Sequence, residues 1–316
     1  MNNFSQLIAS YLVKPKMNLL EWIDVDKLDW VYLSFNPNIT HILTKKHMKK
    51  LDWSILSENP NAINILEQNK DKIDWSVLSE NPNAIHLLEK NKDKIDWGGL
   101  SANPNAIHLL EQYIYKINWV ALSRNPNAIH LLEKNIDKIY WRSLSCNPNA
   151  IHLLEKNINK IDWECLSQNP NAIHLLEQNL DKIKWDYLSE NPNAIHLLEQ
   201  NIDKVHWGHM SKNINAIHLL EQRIDKAHLF AQKTYKIHWG LLSLNPNAIQ
   251  ILERNLYNIN WESLSENPNG IYILEKNINK IHWSSFSRNP NIFEFNMKRT
   301  KSNIERYGQI INNLFI

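Results

Sequence analysis

Seven histidines, His86, His108, His130, His152, His174, His196 and His218, fall 22 residues apart, each three residues ahead of a glutamate such as Glu89. Imidazole beside carboxylate is metal-ligand chemistry, but a zinc ion must have every ligand atom within about 2.1 Å. Equivalent atoms on packed neighbouring helices stand about 8–10 Å apart. One pair per unit is too few ligands, so the column predicts solvent-facing histidines hydrogen-bonded to Glu or to the next unit's Asn, with no metal and no other cofactor.

A second column is basic: Lys72, Lys94, Lys116, Lys138, Lys160, Lys182, Lys204, Lys236 and Lys280. Helical repeats that read nucleic acid present such columns to phosphates. Here Asp71, Asp93, Asp137, Asp181 and Asp203 precede several of the lysines, and a parallel glutamate column runs from Glu67 to Glu221. A lysine near a helix C-terminus also has a sufficient local reason, since it offsets the negative end of the macrodipole. The net charge of +2 supplies no global field toward nucleic acid or anionic membrane. Nucleic acid is therefore the weaker partner class.

Catalysis needs a unique group, and repetition works against uniqueness. The chain has no Gly-rich phosphate loop, no His-Glu-x-x-His and no nucleophile elbow, which predicts a protein that is not an enzyme, with no catalytic residues. Cys146 and Cys165 are the only cysteines, at different positions of adjacent units. They read as two free, inert thiols in a reducing compartment, and no signal-peptide pattern opens the chain. No apolar stretch approaches the roughly 20 residues that span a bilayer.

What positions these columns is a single unit repeated. Trp53, Trp75, Trp97, Trp119, Trp141, Trp163, Trp185 and Trp207 recur every 22 residues, and Trp239, Trp261 and Trp283 resume the series. A unit of this size cannot bury its own apolar face and must stack on neighbours. In the copy at 74–95, Asp74 is an N-cap candidate for a short helix A carrying Trp75 and Leu78 on one face. Asn81 followed by Pro82 starts a longer helix B over about 82–91, whose Ala84, Ile85, Leu87 and Leu88 form a wide apolar face. A buried indole covering about 150–250 Å² would contribute up to about 4–6 kcal/mol. Six glycines in 316 residues argue against a β-solenoid. A leucine-rich repeat fails on register, because leucines are needed where Ser76 and Asn83 stand.

The expected fold is thus all-α: an α-solenoid of about twelve 22-residue helix-turn-helix repeats with N- and C-terminal capping helices. Residues 1–29 would be the N-terminal cap, with a helix over Asn3–Val13 and Trp22 as a worn copy of the signature. The array would run from 30 to 291, and 292–316 would close it. Trp207 to Trp239 is ten residues longer than the period, the expected Trp is Leu229, and Ile214 replaces the proline, so a kink is expected over about 208–238.

Where the copies differ, they differ on one face. The two residues after each Trp and the residue after each Leu-Ser vary along the array, and both sets fall on helix A and its corner. An unchanging frame with a varied face is how repeat proteins acquire protein partners. Arg124, Arg142, Gln168, Asp186, Tyr187, Glu190, His209 and Lys212 are the candidate partner-binding residues. The function expected is a non-enzymatic protein–protein interaction scaffold, with a nucleic-acid-binding solenoid or a structural virion component as alternatives.

The phrase Leu-Ser-x-Asn-Pro-Asn-Ala-Ile-His-Leu-Leu-Glu, written from Leu78 to Glu89 and repeated from Leu100, Leu122, Leu144, Leu166 and Leu188, resembles the repeat proteins encoded in quantity by giant nucleocytoplasmic DNA viruses. The resemblance covers about Trp30 to Asn291. It implies a helical repeat and a viral setting, in the host cytoplasm or the virion, and carries over no activity, cofactor or site residue.

Overall fold

Each repeat is built from short local devices. Asp74 stands in extended conformation and its Oδ1 accepts the Ser76 and Val77 N–H groups, which starts helix A at Trp75–Glu80. Asn81 is extended again and ends it. Its Oδ1 takes the Asn83 N–H at 3.0 Å, so Pro82 and Asn83 form a tight corner. Helix B then runs Ile85–Lys90, beginning three residues later than the Asn-Pro signal predicts, because Asn81 organises the corner and not the first α-helical turn. Asn91 leaves the helical region and its Nδ2 donates to the Leu87 carbonyl at 2.8 Å. A 3-10 turn over Lys92–Lys94 leads back to Asp96 and the next repeat.

In this computed structural model, which describes residues 17–225, 236–296, 301–305 and 309, the molecule is an all-α solenoid of such units. Leu78, Ser79, Ala84 and Leu88 are fully enclosed, as are their counterparts along the array. The tryptophans sit at the edge of this core. Most are half-buried, and only Trp30 and Trp207, at 8% and 4% exposed, lie fully inside. The lysine column accounts for this. Lys72, Lys94, Lys116, Lys138, Lys160, Lys182 and Lys204 each place Nζ 4.5–5.1 Å from the indole centroid of their own repeat. In these seven repeats an ammonium covers the indole, and over Trp207 the Arg223 guanidinium takes that place at 4.9 Å.

Three ladders of hydrogen bonds join neighbouring repeats. The buried Asn103 amide donates to the Ser79 and Asn81 carbonyls of the preceding repeat. Asn105 donates to the Pro82 carbonyl. The buried Ser79 hydroxyl accepts the Asp96 N–H and donates to the Trp75 carbonyl, so one oxygen serves two repeats. Buried polar groups demand such partners, and here the partners lie in the adjacent copy.

The ladders have no end. Asn36 in the first repeat donates to the Ser287 and Asn289 carbonyls of the last, Asn38 donates to Pro290, and the Asp29 N–H reaches the Ser287 hydroxyl. The solenoid is therefore a closed ring of twelve repeats, and its expected free ends meet. A repeated step that closes after one turn has no net rise, so equivalent residues lie on flat circles, with about 30° between repeats. In most neighbouring pairs, the last and first included, helices A pack along one another, whereas helices B stay apart. Closely spaced elements belong nearer the axis, so helices A line the bore. With about 9 Å between their axes, twelve helices A enclose a bore on the order of 20–25 Å across.

The twelfth repeat is assembled from both halves of the sequence. Its helix A is Trp283–Arg288. Where other repeats continue into helix B, strand β2 (Phe293–Phe295) pairs antiparallel with β1 (Met17–Leu19), Met17 opposite Phe295. The 3-10 turn that completes the repeat, Val25–Lys27, also comes from the N-terminal side, and Lys27 covers the Trp283 ring at 5.3 Å. Trp22 is not a worn signature tryptophan: its ring packs 5.7 Å from Phe286 and helps lock the junction. The helix expected over residues 3–13 lies outside the described residues. Of the closing segment, 301–305 is helical.

The hydrogen-bond ladders carry across the long spacing between Trp207 and Trp239, although the short helix Trp207–Met210 packs less closely on its neighbouring helices A than most do. Asn245 donates to the Ser211 and Asn213 carbonyls, Asn247 to Ile214, and the His238 N–H to the Ser211 hydroxyl, so every ladder crosses the interval unbroken. Helix B of this repeat is longer than the others, Ile217–Asp225. Ile214 serves because only the carbonyl at that position is used. Leu229 lies outside the described residues.

Candidate interaction surface

While other positions vary at the helix B end and the 3-10 turns, one set of residues that varies between repeats lies on helices A and so faces the bore. Adjacent helices A meet there in a fixed diagonal: the fifth residue after one Trp contacts the second residue after the next. Glu190 and His209 occupy this diagonal, with Nδ1 3.0 Å from the carboxylate, and Lys212 joins the same Glu190 at 3.3 Å. Cys146 and Cys165 occupy it in the repeats of Trp141 and Trp163, with Cα atoms 4.8 Å apart, and form a disulfide. The expectation of two free thiols is overturned by this geometry. Different positions within the repeat become neighbours once the helices are staggered, and the shared separation of 19 residues in both pairs is the signal that sequence reading missed.

The eight candidate residues divide by what already holds them. Arg142 reaches the Glu164 carboxylate at 3.5 Å and that of Asp162 at 3.8 Å. Glu190, His209 and Lys212 form the triad just described. Arg124, Gln168 and Asp186 are exposed and Tyr187 is half-buried, none with a side-chain hydrogen bond or ion pair among the described residues. The exposed contacts of Arg142 contribute little stability, a median of about 0–1 kcal/mol, so its guanidinium remains available to a competing partner, whereas Glu190 is largely covered by its neighbours.

Two recesses open between helices A on opposite arcs of the ring. One, of about 420 Å³, is lined by Ala102, Val120, Ala121, Arg124, Asn125 and Ser143, an apolar floor with one guanidinium at its edge. The other, of about 260 Å³, spans the junction of last and first repeats and holds Tyr32, Leu244, Glu262, Glu266 and Arg288. On helix A, Glu58, Glu80, Glu164, Asp186, Glu190, Glu262 and Glu266 outnumber Arg124, Arg142, Lys212 and Arg288.

The histidine column lies on the outer wall. Each histidine Nε2 meets the glutamate of the preceding repeat at 2.7–3.1 Å, as His108 meets Glu89 and His196 meets Glu177. These pairs bridge repeats on the side where helices B diverge. Among the described residues no group of three or more His, Cys, Asp or Glu side chains converges as a metal site would require. The Ser54 hydroxyl, donating at 2.7 Å, holds the Asp74 carboxyl below its ordinary value against the opposing effect of burial, with the Val77 and Ser76 amides adding to the lowering.

Comparison with known protein families, characterised proteins and solved structures returns no match to this chain.

Proposed function

We propose that this protein is a non-enzymatic interaction scaffold, a closed ring whose inner wall binds a protein partner. One observation carries the reading: the varied residues of helices A are collected on the wall of the bore, while the leucines, serines and asparagines that build the frame recur behind them. A bore on the order of 20 Å accommodates a helix, whose diameter with side chains is about 10–12 Å, or an extended segment. The excess of carboxylates favours a partner surface with basic residues, and Arg124 beside its apolar recess supplies one contrasting contact. The same charge balance disfavours nucleic acid, as does the engagement of the lysine column with tryptophan. The likeness to viral repeat proteins extends the proposal to a viral protein acting in the host cytoplasm on a host or viral partner.

The test is purification from the native cell with Arg124, Tyr187 and His209 changed together to alanine. A specific companion is expected to be lost from this variant and retained when the outer His130 and His152 are changed instead. Retention by the inner-wall variant, or RNA binding that falls steeply with salt, would replace the proposal.

A further inference from the structure

A wall built on one repeating frame offers a partner many equivalent orientations unless one sector differs from the rest. The sector formed by three successive helices A, Trp97–Ala102, Trp119–Arg124 and Trp141–Ser145, differs in charge and in volume. These helices carry no carboxylate, and their charged side chains are Arg124 and Arg142. The first is capped by Asp96, whose carboxylate is taken by the Gly99 N–H at 2.7 Å; the next two start from Asn118 and Tyr140, which are neutral. The adjacent helices A on either side bring Glu80 and Glu164.

Within this sector the diagonal contact between neighbouring helices A is left empty. One diagonal earlier Glu80 lies on Gly99, where an added Cβ would stand 2.9 Å from Glu80 Cγ. Two diagonals later Cys146 is bonded to Cys165. Between them Ala102 faces Ala121, and no other diagonal of the ring has side chains as small on both sides. The missing volume is the recess of about 420 Å³, within the range of sites that take small apolar groups. Val120, 50% exposed, borders it, and the buried Asn125 amide, donating to the Ser101 and Asn103 carbonyls, fixes the spacing of the two repeats beneath it. The Arg124 guanidinium and the Ser143 hydroxyl also line it, neither with a side-chain hydrogen bond among the described residues.

An apolar recess rimmed by a guanidinium suits an apolar group that carries an anion, and the planar guanidinium fork matches a carboxylate. A basic group would be repelled by Arg124 and Arg142. On the reading of the inner wall as a partner surface, we infer that this recess is the anchor that sets the partner's register in the ring. It takes an aliphatic or aromatic residue of the partner whose neighbour in sequence is Asp or Glu. The apolar side chain rests on Ala102, Val120 and Ala121, and the carboxylate meets Arg124 and Ser143. Elsewhere on the wall the excess of carboxylates keeps the preference for basic residues.

The test is an amide-shift titration of the isotope-labelled full chain by NMR with the probe acetyl-Leu-Glu-amide. Saturable shifts are expected at Val120, Ala121, Arg124 and Ser143, with a dissociation constant on the order of 1 mM. The neutral acetyl-Leu-Gln-amide should bind at least about tenfold more weakly, as should the glutamyl probe to Arg124→Gln, with Arg124→Lys in between. Ala102→Leu with Ala121→Leu fills the recess and should abolish the shifts, with the circular dichroism spectrum and melting temperature unaltered. No saturable shift at these residues, equal affinity for the two probes, or a filled variant that still binds overturns the inference. Because the titration needs no partner, those failures strike the recess alone and leave the scaffold reading to its own companion experiment. Shifts in a chain for which the companion experiment fails would give the recess to a free carboxylic acid and overturn its assignment to a protein segment.

Discussion

The interface between the seventh and eighth repeats and the interface between the twelfth and the first use the same bonds. Asn191 donates to the Ser167 and Asn169 carbonyls as Asn36 donates to Ser287 and Asn289, and Lys184 meets the Ser167 hydroxyl as Asp29 meets that of Ser287. What differs is the packing around the bonds. In the regular arc a leucine, Leu166, fills the centre of helix A; at the junction Phe286 fills it, between Trp22 and Trp283 with ring centroids 5.7 and 5.6 Å away. The junction keeps the ladder intact and adds aromatic area where no peptide bond links the two halves of the twelfth repeat. Closure is thus one more copy of the ordinary interface with a larger plug.

The largest test of that comparison truncates the plug. Phe286→Ala should cost about 4 kcal/mol and Leu166→Ala about 3 kcal/mol in urea unfolding; equal or reversed costs would mean that the junction is the looser interface. Next, Cys146→Ser with Cys165→Ser, which removes a crosslink found in the regular arc and not at the junction, should lower stability by about 3 kcal/mol. An oxidised chain no more stable than the double variant would remove the disulfide from the account. Third, Asn36→Ala and Asn191→Ala should each cost about 1–3 kcal/mol, since each removes the side-chain donor from a buried carbonyl, that of Ser287 or Ser167, while the Asn289 and Asn169 carbonyls keep the Ile292 and Ala172 N–H groups. A much smaller effect at Asn36, or fast amide exchange confined to the first and last repeats, would show a ring that opens at its junction.

The smallest effect is local. Asp74→Ala removes an N-cap, about 1 kcal/mol at neutral pH, in an ordinary repeat. Because the Asp74 carboxyl is held below its ordinary value, its contribution is fully present above that value, near 3.8, and is lost as the pH falls through the depressed one. The melting temperatures of wild type and variant should therefore separate above about pH 4 and converge in stronger acid; a gap that widens on acidification would contradict the assignment.

Much of the unit was legible in the text. Asp74 as N-cap, the leucine faces and a solvent-facing histidine beside a carboxylate all follow from side-chain chemistry within one or two repeats, whereas Asn81, expected to cap helix B, builds the corner before it. Other features were not. The Trp was expected deep in the core and lies at its edge, since spacing reports which face a residue is on and not how far the next repeat covers it. The lysine column looked like a dipole partner or a phosphate track until the indole beneath each ammonium was in place. Cys146 and Cys165 differ in repeat position, so they become neighbours only through the stagger of adjacent helices.

The sequence by itself determined a periodic α-helical stack with a constant frame and a varied face, because caps, corners and apolar stripes act over a few residues. Tertiary structure alone decided that the stack curves into a ring, that the varied face becomes the wall of a bore, and that residues 17–29 complete the repeat begun at Trp283. Curvature is set by a difference of a few ångströms between the spacing of the inner and outer helices. That difference is invisible in any one copy, and it closes the circle only when summed over twelve.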